Sequence, residues 1–170
     1  MYKRQALLIN GYLSNEELQA LPGFPSTERI GKGPVAVVEC AQEIPCNPCV
    51  DACRFNAILI DGPITVLPRL DEIKCTGCGS CIAICPGQAI FVVDATYSET
   101  EGTVQLPYEY LPLPNVGDIV EGLNRAGEIV CQTEVKRVIN SKANDHTPVV
   151  TLIVPKEFLM EVRSLKLKDK

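Results

Sequence analysis

The stretch "CTGCGSCIAICP", Cys75 to Pro86, spaces four cysteines as C-x2-C-x2-C-x3-C-P. Thiolates are soft ligands that suit iron–sulfur clusters and zinc. A structural zinc site takes four ligands, usually as two C-x2-C knuckles well apart in sequence. Here three thiols are packed at two-residue intervals, so the loop can wrap three corners of an iron–sulfur cubane. The fourth is carried away from the loop toward a neighbouring cluster. Pro86 fixes φ and removes one N–H, which helps end the loop. Gly77, Gly79 and Gly87 would let the backbone run close to inorganic sulfide with N–H groups aimed at it, making them candidate cofactor-binding positions.

A second group, "CAQEIPCNPCVDAC", lies upstream and supplies Cys40, Cys46, Cys49 and Cys53. Cys46, Cys49 and Cys53 align with Cys78, Cys81 and Cys85 at a constant offset of 32 residues, and Ala57-Ile58 aligns with Ala89-Ile90. The repeat departs from itself twice. Glu43 stands where the offset would place a first cysteine, and Cys40 lies three residues earlier, giving C-x5-C-x2-C-x3-C. Three more residues add little loop-closure entropy, so Cys40 is expected to complete this set. A Glu43 oxygen ligand and a three-iron cluster are the alternatives. Arg54 replaces the proline that would follow Cys53. It either raises the neighbouring potential by stabilising the more negative reduced state, or faces solvent.

On these motifs residues 39–95 resemble a two-cluster, bacterial-type ferredoxin domain. The resemblance implies two [4Fe–4S] clusters with crossed ligation. Cys75, Cys78 and Cys81 would hold one with Cys53, and Cys46, Cys49 and Cys85 the other with Cys40. Closed clusters use all eight thiols and leave no open metal position, so electron transfer is expected rather than substrate chemistry. The other role open to such clusters is to staple a small fold. "VECAQEIPCNPCVDACRFNAI" and "KCTGCGSCIAICPGQAI" are also similar to small ferredoxin-like proteins of anaerobic bacteria. Those accompany FAD-dependent amine or amino-acid dehydrogenases of the opine oxidase, hydrogen cyanide synthase and D-hydroxyproline dehydrogenase type. This implies a hetero-oligomer in which an FAD-containing subunit binds the substrate and this chain relays its electrons to an external acceptor. A free-standing carrier and a cluster-based sensor are the other readings. The sensor would need a DNA-reading helix or basic stripe, and neither is visible.

The elements that must position these thiols fit an α+β chain. A lead-in, residues 1–38, carries a short helix through "NEELQAL", with Ser14 as cap and Glu17 completing a capping box. "GKGPVAVVEC" feeds a buried strand into Cys40 and lacks the rest of a phosphate loop. Residues 39–95 form the ferredoxin-like module with its pseudo-twofold repeat, and "LIDGPITVLPRL" reads as a hairpin turning at Asp61-Gly62. Residues 96–114, polar and then rich in proline and tyrosine, read as a linker. Residues 115–170 alternate apolar and polar residues between turns at Gly117, Gly122 and Gly127. They predict a small antiparallel barrel or sheet that docks on a partner, closing in a helix through "PKEFLMEVRSL".

Composition bounds the rest. A net charge of −5 argues against broad binding to nucleic acid or anionic lipid. The apolar runs are too short to span a bilayer, and no signal-peptide pattern opens the chain, so a cytoplasmic protein without membrane contact is expected. Eight of nine cysteines fall between Cys40 and Cys85, a bunching that favours metal over disulfides. Between residues 39 and 95 seven acidic side chains oppose only Arg54, Arg69 and Lys74, a face able to steer a basic partner. Cys131 reads as a small buried hydrophobe, His146 as a turn residue in solvent, and "RSLKLKDK" as a solvated tail.

Overall fold

The computed structural model describes residues 5–144 and 147–168; His146 lies outside them. Three short helices come first: α1 (Gln5–Asn10), α2 (Asn15–Gln19) and α3 (Thr27–Ile30). The capping box is present on α2: the Ser14 hydroxyl accepts from Glu17 N–H, and the Glu17 carboxylate accepts from Ser14 N–H. Two donors left over at the helix start are thereby satisfied. Next come β1 (Val35–Val38), α4 (Pro48–Asp51), β2 (Ile58–Leu59), β3 (Arg69–Leu70), α5 (Ser80–Ile84) and β4 (Ile90–Asp94). The chain continues through β5 (Glu101–Pro107), β6 (Ile119–Leu123), β7 (Ile129–Ile139), β8 (Val149–Pro155) and β9 (Ser164–Lys166). Among the described residues no helix is long and apolar enough to cross a membrane.

Among the described residues seven strands form one antiparallel sheet in the order β1-β4-β5-β8-β7-β6-β9, and β2 pairs with β3 alone. Every residue of β1, "VAVV", is buried, a continuous apolar pattern that calls for cover on both faces. In β7 the pattern is closer to alternating, with Thr133 and Val135 inward between exposed Gln132, Glu134 and Lys136. Helix α5 packs on β4 and β5, and α4 packs on α5. One core therefore holds Cys49, Cys81 and Ile82 together with Val104, Leu152 and Val154. Burying a valine or leucine side chain contributes roughly 1.5–3 kcal/mol each, so the thiol loops are anchored to the sheet by many such contacts.

Several local readings change under this tertiary arrangement. Residues 96–114, read as a linker, contain β5, which has β4 on one side and β8 on the other. Its pairing partners lie in the segments before and after it, so its own polar and proline-flanked sequence carries little strand signal. The expected tight hairpin at Asp61-Gly62 is a long connection between β2 and β3; Pro63 and Pro68 lie within it and cannot donate to a ladder. In place of a closing helix there is a 3-10 turn at Lys156–Phe158 followed by β9, which pairs with β6. The tail is not solvated at its start: Arg163 is buried. Gly117 and Gly127 do sit in turns with positive φ, whereas Gly122 lies inside β6 beside a register shift.

Candidate metal centre

The 32-residue repeat is a structural near-symmetry. Ile58 pairs with Leu70 and Ile90 with Val38, two pairs related by that same offset. Glu39 N–H donates to Ala89 O (2.8 Å), and Asp71 N–H donates to Ala57 O (2.7 Å), again 32 residues apart. Each half runs strand, thiol loop, short helix, strand, and the first strand of one half pairs with the last strand of the other. The chain ends of both cysteine loops are thus held side by side, which is what crossed sharing of thiols requires.

Two sets of four thiols result. Cys49 lies within electrostatic reach of Cys85, Cys40 and Cys46. Cys81 lies within reach of Cys75, Cys78 and Cys53. Cys53 and Cys85 have each crossed to the other half's set. The second set lines a recess with Ala36, Ile58, Gly77, Gly79 and Val92, while Cys40, Cys46 and Cys85 line a groove that also contains Gly87. Glu43 is exposed and lines a different groove with Pro22, Asp61 and Arg69. Arg54 is exposed. Cys131 is half-buried on β7 and packs against the core, remote in sequence from both sets.

Backbone N–H groups aim at the sulfurs. Ala57 donates to Cys53 Sγ (3.2 Å) and Ala89 to Cys85 Sγ (3.5 Å), the same bond in both halves. The preceding residues, Asn56 and Gln88, have φ of 49° and 50°. That left-handed turn, unusual for a residue with a side chain, swings the next N–H back onto the thiol. Sequence alone missed this pair, although the 32-residue alignment places the two side by side. Ala36 donates to Cys75 Sγ (3.4 Å), and the Ser80 hydroxyl lies 3.5 Å from Cys78 Sγ. Gly77 has φ of 66°, and a Cβ there would come within 2.6 Å of Pro34. Gly79 has φ of 81° and would collide with the Gln105 amide at 2.8 Å. Gly87 has open space around it and no positive φ, so the protein's own atoms do not demand glycine there.

Burial, and after it the charges of Cys85, Cys40 and Cys46, push the Cys49 thiol up to about 11. For Cys81 burial again leads, followed by Cys75 and Cys78, and its thiol is pushed up to about 12. Cys78 differs. Burial acts upward there, but hydrogen bonding with Ser80 and Thr76 outweighs it and its thiol falls below the ordinary value. Four thiolates gathered close together would repel one another, and a positively charged iron–sulfur core would relieve that repulsion. Among the described residues no three Cys, His, Asp or Glu side chains converge on a point suited to a single metal ion. A cubane needs wider placement, because each thiolate binds a different iron. Thiol chemistry, crossed placement and N–H donors all fit iron–sulfur clusters.

A charged feature beside the first set was not visible in the sequence. The Glu39 carboxylate, 8% exposed, receives both Arg125, 13% exposed, and Arg163, 4% exposed. Arg125 Nε donates to Glu39 Oε2 (2.8 Å), and its Nη2 bonds Oε1. Arg163 Nε donates to Glu39 Oε1 (2.7 Å), and its Nη1 to the carbonyls of Leu159 and Val162. The Arg163 guanidinium stacks 4.9 Å from the centre of the Phe91 ring. Burial alone would raise the Glu39 pKa, but the charges and hydrogen bonds of the two arginines reverse this and lower it.

Residues 44–89 match the family model for the 4Fe-4S dicluster domain, a span that includes seven of the eight grouped cysteines and leaves Cys40 outside. Over 47 residues, 28% of this chain and 17% of the relative, the sequence is 43% identical to a subunit of the ion-translocating oxidoreductase complex of Methanosarcina acetivorans. Over 58 residues, 32% of this chain and 29% of the relative, it is 40% identical to the polyferredoxin-like subunit of the aliphatic sulfonate oxidoreductase of Pyrococcus furiosus. The chain thus spans less than a third of each of these curated relatives. No solved structure matches it at comparable significance. The cysteine-bearing part of the chain thus matches a ferredoxin-type 4Fe-4S domain, set within a longer chain that shares its sheet.

Proposed function

We propose that the protein is an electron-transfer subunit carrying two [4Fe–4S] clusters, one on Cys40, Cys46, Cys49 and Cys85 and one on Cys53, Cys75, Cys78 and Cys81. The observation that carries this reading is the assembly of two thiol quartets, each completed by a cysteine from the opposite half. When bound, such clusters supply one-electron storage with little nuclear rearrangement. The chain holds the thiolates, donates N–H groups from Ala36, Ala57 and Ala89 to their sulfurs, and packs both loops on a rigid sheet. Cys78 is the exposed thiol of the second quartet and marks where that site comes nearest to solvent.

The electrons are proposed to come from an FAD-containing amine or amino-acid dehydrogenase subunit in the same complex and to leave for an external acceptor. Two things support a multi-subunit setting. Both relatives named above are subunits of oxidoreductases. The lead-in helix α1 also exposes Leu8 and Ile9, and the segment before β6 exposes Tyr110, Leu111 and Val116. Apolar groups of this kind on a single chain suit a docked subunit. The flavoprotein itself rests on the sequence resemblance, and a cytoplasmic location follows from the same reading.

Anaerobic isolation of the native protein with its partners, followed by iron, sulfide and flavin analysis, tests the proposal. About eight irons and eight sulfides per chain, with a flavoprotein in fixed ratio, is the expected result. About four irons would sink the two-cluster assignment, and full iron without any flavoprotein would sink the partner.

A further inference from the structure

The two halves are near copies around their thiols, yet their surroundings carry unequal charge. Glu39 and Asp71 occupy equivalent positions, 32 residues apart, each donating its N–H to the opposite half. Asp71 pairs with Lys74 at 3.1 Å, one carboxylate against one ammonium, and Lys74 is well exposed. The nearby Arg29 guanidinium caps the carbonyls of Glu72, Gly33, Pro34 and Cys75, and the Glu72 carboxylate beside it accepts from Ser26. Arg29, Lys74, Asp71 and Glu72 sum to no net charge around the second quartet. At the first quartet one carboxylate faces two guanidiniums, a net charge of +1 in a nearly dry site. Arginine does not deprotonate in proteins, so that charge is permanent. Arg163 Nη2 is buried with no hydrogen-bond partner among the described residues, so protein groups do not neutralise this cation completely.

The charge also borders that quartet's groove. Glu39 precedes Cys40 directly, and its N–H binds the Ala89 carbonyl while Ala89 N–H binds Cys85 Sγ. Arg125 and Arg163 line the same groove as Cys40, Cys46 and Cys85. The remaining charged residues of the thiol loops, Glu43, Asp51 and Arg54, are exposed and so screened by solvent.

We infer that Arg125 and Arg163, held by Glu39, are tuning residues that make the first quartet's cluster the higher-potential member of the pair. One-electron reduction by an external reductant adds one negative charge to a cluster and moves no proton. A buried cation stabilises that added charge, and a net-neutral, partly exposed surrounding does so less. The electron then rests on the side where the C-terminal strands contribute to the site. This rests on the two-cluster reading of the preceding subsection.

The test is a potentiometric titration of the full, cluster-loaded chain followed by EPR, with hyperfine-shifted cysteine proton resonances assigning each step to a quartet. Arg163→Gln is the obvious variant but leaves a fully buried site to collapse, so Arg125→Gln and Glu39→Gln carry the test. Arg125→Gln should lower the first cluster's reduction equilibrium constant about tenfold or more, a shift of about 59 mV for a one-electron couple. Glu39→Gln should move the same cluster in the opposite direction, and Arg163→Lys should keep the wild-type value. A merely structural role would not reverse sign between the two variants. About eight irons retained with both clusters shifting equally, or neither shifting, overturns the inference and leaves the two-cluster reading standing. About four irons in the wild type overturns that reading instead.

Discussion

Residues 38–58 and 70–90 follow one plan with the same strand register, the same N–H-to-sulfur bonds and the same left-handed turn at Asn56 and Gln88. They differ in what closes each loop and in what lies outside it. The second half keeps its first cysteine, Cys75, against Ala36 N–H and hugs the chain through Gly77 and Gly79. The first half reaches back to Cys40 and recruits Arg125 and Arg163 from 86 and 124 residues away along the chain. Shared local geometry builds two like sites, and long-range packing then makes them unlike.

The largest effect that could break this comparison is on cluster content. Cys40→Ala should cut iron from about eight to about four per chain, while Glu43→Ala should leave it unchanged, as read by iron and sulfide analysis. The opposite result would make Glu43 the ligand and the halves closer in spacing than proposed. Next is the ion network. Glu39→Ala leaves two buried guanidiniums facing each other and should cost roughly 3–5 kcal/mol in chemical denaturation. Asp71→Ala, at the equivalent half-buried position with one well-exposed partner, should cost much less.

The thiols set a pH test on the metal-free chain. Cys49 and Cys81 have folded-state values raised from 9.0 to about 11 and about 12, chiefly by burial. A raised value means the folded state holds its proton longer than the unfolded one. The associated stability is therefore complete below pH 9.0 and lost as pH rises through about 11 and 12. Thermal melts of the metal-free protein should fall across that window, whereas the cluster-loaded protein, with thiolates already formed, should lack this component. The smallest effect concerns the matched turns. Asn56→Gly and Gln88→Gly should each stabilise by up to about 1 kcal/mol through relief of the left-handed backbone. The gain should be smaller at Asn56, because asparagine tolerates that region better.

Much of the site was legible because its chemistry is local. A cluster loop needs thiols at fixed short intervals, so Cys75 to Cys85 declare themselves, and the repeat exposes Cys46, Cys49 and Cys53 by alignment. The Ser14–Glu17 cap and the apolar run of β1 were readable for the same reason: neighbours a few residues apart decide them. Other features have no local signature. Strand β5 gains its identity from β4 and β8, and its prolines and polar turn make it look like a linker. The tail "RSLKLKDK" looks solvated until Arg163 meets Glu39 across 124 residues.

The amino-acid sequence alone determined the ligand chemistry, the twofold plan of the thiol loops and the α+β character, since spacing and periodicity are properties of adjacent residues. Tertiary structure decided which thiols lie within reach of one another, that one sheet runs from the lead-in to the C-terminal strands, and which half receives the buried charge. These depend on contacts between segments far apart in the chain. Their energetic return comes only after loop closure has brought the segments together, so no short window of sequence records them.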